Sequence, residues 1–208
     1  MRERCRALVL DLDGVLRRFD PDRLAAAAAA NGVPAGMLTD LAFAPDRLRA
    51  AVTGRSTHEQ WLAATVDALA EATGDRPGAR RAVTEWASYH GEVVPEVLDA
   101  VRQVRAAGVP VLLGTNATDR LDADLAELGL TDEVDAVLNS SVLGHAKPSA
   151  EFFAAACERL DLPARVCLFV DDVDRNVRGA RAAGLAAMRY TGPSDLAYLR
   201  AALSAAAA

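Results

Sequence analysis

The sequence predicts an α/β fold: a five-stranded parallel sheet layered between helices, with one large helical insertion near the start. Three observations carry this. Short apolar runs alternate with longer helical patterns, as in a parallel sheet wound by right-handed crossovers. The first and second apolar runs are separated by a helical stretch of roughly 75 residues, too long for a plain loop. The chain has 208 residues, and at roughly 150 per domain one domain with an insertion fits better than two equal domains.

The elements follow in order. Residues 6–12 are a short apolar run, read as a buried strand. Asp20 can cap a helix with Pro21 at its first position and Gly32 past its end. Ser56 and Glu59 have the spacing of a capping box, opening a helix to about Ala72. Gly74 to Gly78 reads as a turn-rich break, followed by a helix over 79–90 that Gly91 ends. Beyond Gly91 the period changes. A helix over 95–107 with Gly108 past its end leads to a strand at 109–113. Then come a helix at 119–128, a strand at 135–138, a helix at 149–160 and a strand at 165–170. A helix at 175–183 stopped by Gly184, a strand at 186–190 and a helix at 194–203 complete the series. Residues 1–16 and 92–208 are thus expected to form the core, and residues 17–91 a helical cap.

Composition excludes several classes. Hydrophobic residues are 51% and charged residues 25%, the ordinary globular range. Net charge is −6, with no clustered basic face for nucleic acid. No apolar run approaches the ~20 residues of a membrane span, and the run before Asp11 is too short for a signal-peptide core. Cys5, Cys157 and Cys167 are odd in number and lack metal-ligand spacing, which reads as reduced thiols in a cytoplasmic protein. The expected partner is a small molecule, with no nucleic acid and no membrane, and the expected state is a monomer or homodimer. Lys147 is the single lysine among 23 basic residues, so a chain that otherwise writes arginine has a reason to depart from it there.

In open α/β sheets ligands bind beyond the carboxyl ends of the strands. Each strand end here delivers polar groups: Asp11 and Asp13, then Thr115 and Asn116, then Lys147, then Asp171 and Asp172. Asp-x-Asp is weak alone, since the chain has four such pairs; Asp20/Asp22 and Asp122/Asp124 read as helix-cap and surface residues. Asp11 differs because it ends an apolar strand, where an unpaired carboxylate is costly to desolvate. Adjacent strand ends bearing three or four carboxylates need a counterion, and Mg²⁺ is the usual hard cation beside phosphates. Lys147 then supplies a point charge to phosphate oxygens and the nucleophile. Thr115 and backbone N–H groups at 115 and 116 can hold further oxygens. His145, Arg17, Arg18 and Arg55 could reach the site, but loop packing and a solvated face are the simpler readings. Trp61 and Trp86 read as core.

The order Asp11-Leu-Asp-Gly-Val-Leu, Thr115-Asn116, Lys147-Pro148 and Asp171-Asp172-x-x-x-Asn176 resembles the haloacid dehalogenase-like hydrolase superfamily, with the helical insertion resembling a type C1 cap. The paired aspartates resemble the sugar-phosphate phosphatase branch. The resemblance implies a Rossmann-like three-layer core and a Mg²⁺-dependent phosphatase acting on a small phosphorylated metabolite. It implies Asp11 as nucleophile and metal ligand, and Asp13 as general acid and base with its carbonyl on metal. It makes Asp172 the third ligand, helped by Asp171; Thr115, Asn116 and Lys147 phosphate binders; and Asn176 a tie within the last loop. The family's dehalogenases lack an aspartate at the position of Asp13, which favours phosphate chemistry. A phosphomutase of the same fold and a non-catalytic binder of phosphorylated ligands remain as alternatives.

Overall fold

A computed structural model describes residues 4–34 and 36–203. The strands are β1 (Ala7–Leu10), β2 (Arg17–Arg18), β3 (Glu92–Val93), β4 (Val111–Thr115), β5 (Ala136–Asn139), β6 (Cys167–Asp171) and β7 (Ala186–Arg189). The helices are α1 (Pro21–Ala30), α2 (Met37–Ala42), α3 (Pro45–Val52), α4 (His58–Thr73), α5 (Arg76–Ala87), α6 (Pro95–Ala106), α7 (Leu121–Glu127), α8 (Ser140–Leu143), α9 (Ala150–Leu160), α10 (Asp174–Ala182) and α11 (Leu196–Leu203). Five strands make one parallel sheet in the order β5-β4-β1-β6-β7. The chain runs outward in one direction through β4 and β5 and in the other through β6 and β7, so the order reverses at β1. Residues just past β1, β4 and β6 therefore meet at the crevice where α/β sheets bind ligands.

Strand alternation builds the three layers. Leu8 and Leu10 of β1 face a cluster with Val97, Val101 and Leu199 from α6 and α11. Ala7 and Val9 face the other way, onto Phe152, Phe153 and Ala180 from α9 and α10. All four residues of β1 are completely buried, as expected of a central parallel strand covered on both faces. The ladder extends further than the apolar runs do. Thr115 pairs with Asn139 and Asp171 with Arg189, so these polar residues are the last members of their strands rather than the first of their loops.

Helices α1 to α5 enclose a hydrophobic cluster of their own, centred on Leu38, Trp61, Leu69, Val83 and Trp86. Two expected boundaries shift here. The capping box at α4 uses Thr57 and Gln60, one residue later than Ser56 and Glu59. Gly74 to Gly78 is not all turn: Asp75 accepts a hydrogen bond from the Gly78 N–H, and Pro77 fits the first turn of a helix that runs to Ala87. The insertion joins the sheet through β2 and β3, which pair antiparallel, Arg17 with Val93 and Arg18 with Glu92. No helix among the described residues is long and apolar enough to cross a membrane.

Candidate active site

A buried charge cluster sits at the strand ends. Asp11 follows β1, Asp171 ends β6, and Lys147 lies in the loop before α9; all three are at most 5% exposed. Lys147 Nζ lies 2.6 Å from Asp11 Oδ1 and 2.8 Å from Asp171 Oδ2. Asn176, in the first turn of α10, donates Nδ2–H to both Asp171 oxygens at 3.1 and 3.0 Å, and the Val173 N–H donates to Asp171 Oδ1 at 2.8 Å. Asp171 is thus fully engaged by protein donors.

The two other carboxylates are not. Burial pushes the Asp11 carboxyl up to about 7; Lys147 opposes this and Asp171 adds to it. Asp172 is also raised, by burial first and by the charge of Asp171 second. Asp172 Oδ1 is buried and has no hydrogen-bond partner among the described residues. Its carboxylate packs on Gly14, whose φ is +79° and where a Cβ would stand 2.2 Å from Asp172 Oδ2. Glycine is therefore required there twice over, by backbone and by space. Oxygens of Asp11, Asp171 and Asp172 lie within 4.8 Å of one another. An orphaned buried carboxylate oxygen in an all-oxygen donor set fits a hard divalent cation.

Asn116 acts on Lys147 through the backbone. The Lys147 N–H donates to Asn116 Oδ1 at 2.8 Å, and Asn116 Nδ2–H donates to the Lys147 carbonyl at 3.0 Å. This two-point grip ties the end of β4 to the lysine loop. Thr115, 1% exposed, ends β4 beside β1.

Asp13 is the more open aspartate, its side chain 44% exposed. Arg17 grips it with Nε at 2.7 Å from Oδ1 and Nη2 at 3.2 Å from Oδ2. Arg17 Nη1 also donates to Asp124 Oδ2 at 3.1 Å, and Arg120 holds the other Asp124 oxygen at 2.8 Å. Between these groups and the helical insertion lies a cavity of about 340 Å³. Asp13 and Asn116 border it on the sheet side, and Phe43, Trp61 and Trp86 on the insertion side. The insertion rests on the core nearby: His58 Nδ1 lies 3.1 Å from Thr118 Oγ1, and the His58 N–H donates to Asp119 Oδ1 at 2.6 Å.

Residues 5–184 match the haloacid dehalogenase-like hydrolase family. The chain belongs to that family. It is an enzyme of the hydrolase class, as the order of its strand-end residues implies. Among its relatives, a phosphoglycolate phosphatase from Chromobacterium violaceum is 33% identical over 189 residues, 88% of this chain and 83% of that one. A ribulose-1,5-bisphosphate 5-phosphatase from Halopiger xanaduensis is 35% identical over 147 residues, 67% of this chain but only 61% of that protein. A family member from Bacteroides thetaiotaomicron, solved with magnesium and inorganic phosphate, superposes with a TM-score of 0.73 at 20% identity, covering 94% of this chain and 98% of that one. At that identity the likeness concerns the fold.

The structure brings Asp11, Lys147, Asp171 and Asp172 together, with Asp13, Thr115 and Asn116 around them. It revises two readings, those of Arg17 and Asp124. Arg17 is 5% exposed and clamps Asp13, so it is not on a solvated face. Asp124 is not a surface residue but the far anchor of that clamp, its side chain 17% exposed. The Asn116 side chain grips the Lys147 backbone. Trp61 and Trp86 are core residues, as read from the sequence, and they also line the cavity. Arg18, Arg55 and His145 are exposed; Arg18 reaches only Glu92, at 3.9 Å, and Arg55 Nε–H donates to Thr53 Oγ1. Sequence had one faint signal for Arg17, its four-residue spacing from Asp13, and none for Asp124.

Proposed function

We propose that the protein is a Mg²⁺-dependent phosphatase that hydrolyses a small phosphomonoester through an aspartyl-phosphate on Asp11. The carrying observation is the buried Asp11–Lys147–Asp171 cluster beside the orphaned Asp172 Oδ1. Relatives named as phosphatases of small phosphorylated metabolites support the reading. Asp11, the Asp13 carbonyl and Asp172 would hold the metal, with Asp171 orienting Lys147 from behind. When bound, Mg²⁺ neutralises charge on the carboxylates and on the phosphate.

The chain's own groups divide the reaction. The Asp11 carboxylate attacks phosphorus, the P–O bond to the alcohol breaks, and Asp13 donates its proton to the departing oxygen. Asp13, now ionised, takes a proton from water, which attacks phosphorus and frees Asp11. Lys147 Nζ balances charge on the phosphoryl oxygens, and the Thr115 hydroxyl donates to another. The Asn116 side chain fixes Lys147, and its backbone N–H is left to donate to the phosphate. Residues 17–91 serve as a C1-type cap that closes the site against bulk water, with 1–16 and 92–208 as the core. The three free cysteines suit a reducing compartment, the cytoplasm.

Phosphate release from p-nitrophenyl phosphate and small phosphometabolites, with Mg²⁺ and with excess EDTA, tests this. Metal-dependent release that Asp11→Asn abolishes is expected. No release from any ester, or isomer formation without free phosphate, overturns the reading.

A further inference from the structure

The cavity above Asp13 has two unlike sides. The polar groups of its lining already hold one another: Arg17 with Asp13 and Asp124, Arg120 with Asp124, His90 with Glu127, His58 of the insertion with Thr118, and the Tyr89 hydroxyl with the Asp20 N–H. The far wall is hydrocarbon and aromatic. Phe43, Trp61 and Trp86 stand with ring centroids 5.8–6.0 Å apart, all at tilted or edge-to-face angles. Trp61 Nε1–H is spent on the Ala42 carbonyl at 2.8 Å. Trp86 Nε1–H has no partner among the described residues, so the indoles offer a ligand at most one donor. Leu48 and Val52 continue the wall. Phe43 is a large apolar residue left 45% exposed at this wall.

We propose that the alcohol carried by the phosphate is apolar, an aryl or alkyl group, rather than a sugar or a hydroxy acid. The proposal rests on the phosphatase reading and gives it a substrate class. A hydroxyl moved from water into a site without a partner costs about 1–3 kcal/mol. A polyhydroxylated alcohol in this cavity would meet that cost several times, because the donors and acceptors around it are largely committed. An aromatic ring or short alkyl chain meets no such cost and gains contact with three rings. The cavity borders Asp13, the proposed acid, so an alcohol held there presents its oxygen next to the proton donor. The relatives named for phosphoglycolate and ribulose bisphosphate act on hydroxylated or acidic compounds, and this chain would part from them in its cap.

The test is a matched series of alkyl esters at saturating Mg²⁺: benzyl phosphate and butyl phosphate against glycerol 3-phosphate and phosphoglycolate. kcat/KM should favour benzyl phosphate by about tenfold or more, the range open to apolar pocket contacts. Phe43→Ser, at a half-exposed position, should cut that preference roughly fivefold. A binding arm needs no turnover. Trp61 and Trp86 are the only tryptophans of the chain, so selectively excited tryptophan fluorescence reports on this wall. Benzylphosphonate should change it saturably and at lower concentration than phosphonoacetate. Preference for the hydroxylated or acidic esters overturns the proposal and leaves the phosphatase reading standing. Hydrolysis of nothing, with tighter benzylphosphonate binding, overturns the phosphatase reading and keeps the ligand class. Failure of both arms ends both.

Discussion

Lys147 Nζ lies 2.6 Å from Asp11 Oδ1, and both side chains are more than nine-tenths buried. The contact accounts for the lone lysine. Asp171 closes on the same ammonium from the other side at 2.8 Å, and Asn116 pins the backbone behind it. A compact point charge fits between two carboxylates; a planar guanidinium needs more width than a gripped backbone allows.

Lys147→Arg should therefore behave almost like Lys147→Ala, with kcat lower by roughly 10- to 100-fold, on the order of 1.4–2.7 kcal/mol. Because Lys147 is 3% exposed, Lys147→Ala should also destabilise the metal-free protein. Leaving a buried charge without its partner costs about 3–5 kcal/mol in comparable pairs. Added Mg²⁺ should restore part of the lost Tm. Steady-state kinetics and thermal unfolding with and without EDTA check both; a Lys147→Arg enzyme with normal kcat would show that charge alone suffices.

Asp11 links pH to stability in the metal-free protein. Burial raises its carboxyl to about 7, from an ordinary value near 4. A raised carboxyl favours the protonated folded state. Its stabilising contribution is complete below about pH 4 and is lost as pH climbs through 7. Asp11→Asn carries no such titration. In EDTA, the Tm of Asp11→Asn minus that of wild type should rise between pH 4 and 8 by several degrees, at about 2–4 °C per kcal/mol. A difference that stays flat across this range would mean that Lys147 fully offsets the burial.

Much of this site was legible in the sequence because an apolar strand that ends on aspartate is costly to build without a purpose. Asp11 and Asp171 stand out for that reason, and Lys147 for its rarity. The clamp on Asp13 was not legible. Arg17 and Asp124 are 107 positions apart, and pairing across the fold leaves no periodicity in either segment. Asp122/Asp124 looks like any acidic helix start. The two-residue strands β2 and β3 lack the length to show alternation. Trp61 and Trp86 give the same helical spacing whether their rings fill a core or also face a cavity, so the wall emerges only in three dimensions.

The Asp13 clamp bears on proton transfer. Asp13→Ala should cost alkyl phosphates about 10²- to 10⁴-fold in kcat, the usual worth of a general acid, and p-nitrophenyl phosphate much less, because its leaving group needs little protonation. Arg17→Gln should show the same bias at smaller size, since it frees Asp13 without removing it. Equal losses for both ester types in Arg17→Gln would assign Arg17 to fold stability alone.

Gly54 sets how closely the insertion meets the core. Its φ is +71°, and a Cβ there would stand 2.2 Å from the Ser141 carbonyl oxygen. That oxygen is backbone in the short helix α8, which follows β5 directly, so it cannot swing aside as a side chain would. Gly54→Ala thus faces two penalties: an unfavourable left-handed backbone, about 1 kcal/mol, and a clash that only separation of insertion and core relieves. The charge cluster is built from β1, β6 and the lysine loop, none of them part of the insertion. The variant should keep a near-normal response to Mg²⁺ in thermal unfolding. Its kcat/KM for esters that reach into the cavity should fall about tenfold, with most of the loss in KM, because the far wall is displaced while the chemistry is untouched. Kinetics on benzyl phosphate read this directly. A variant with unchanged KM would show that the site works with the insertion standing off the core, and that closure at Gly54 contributes nothing to substrate capture.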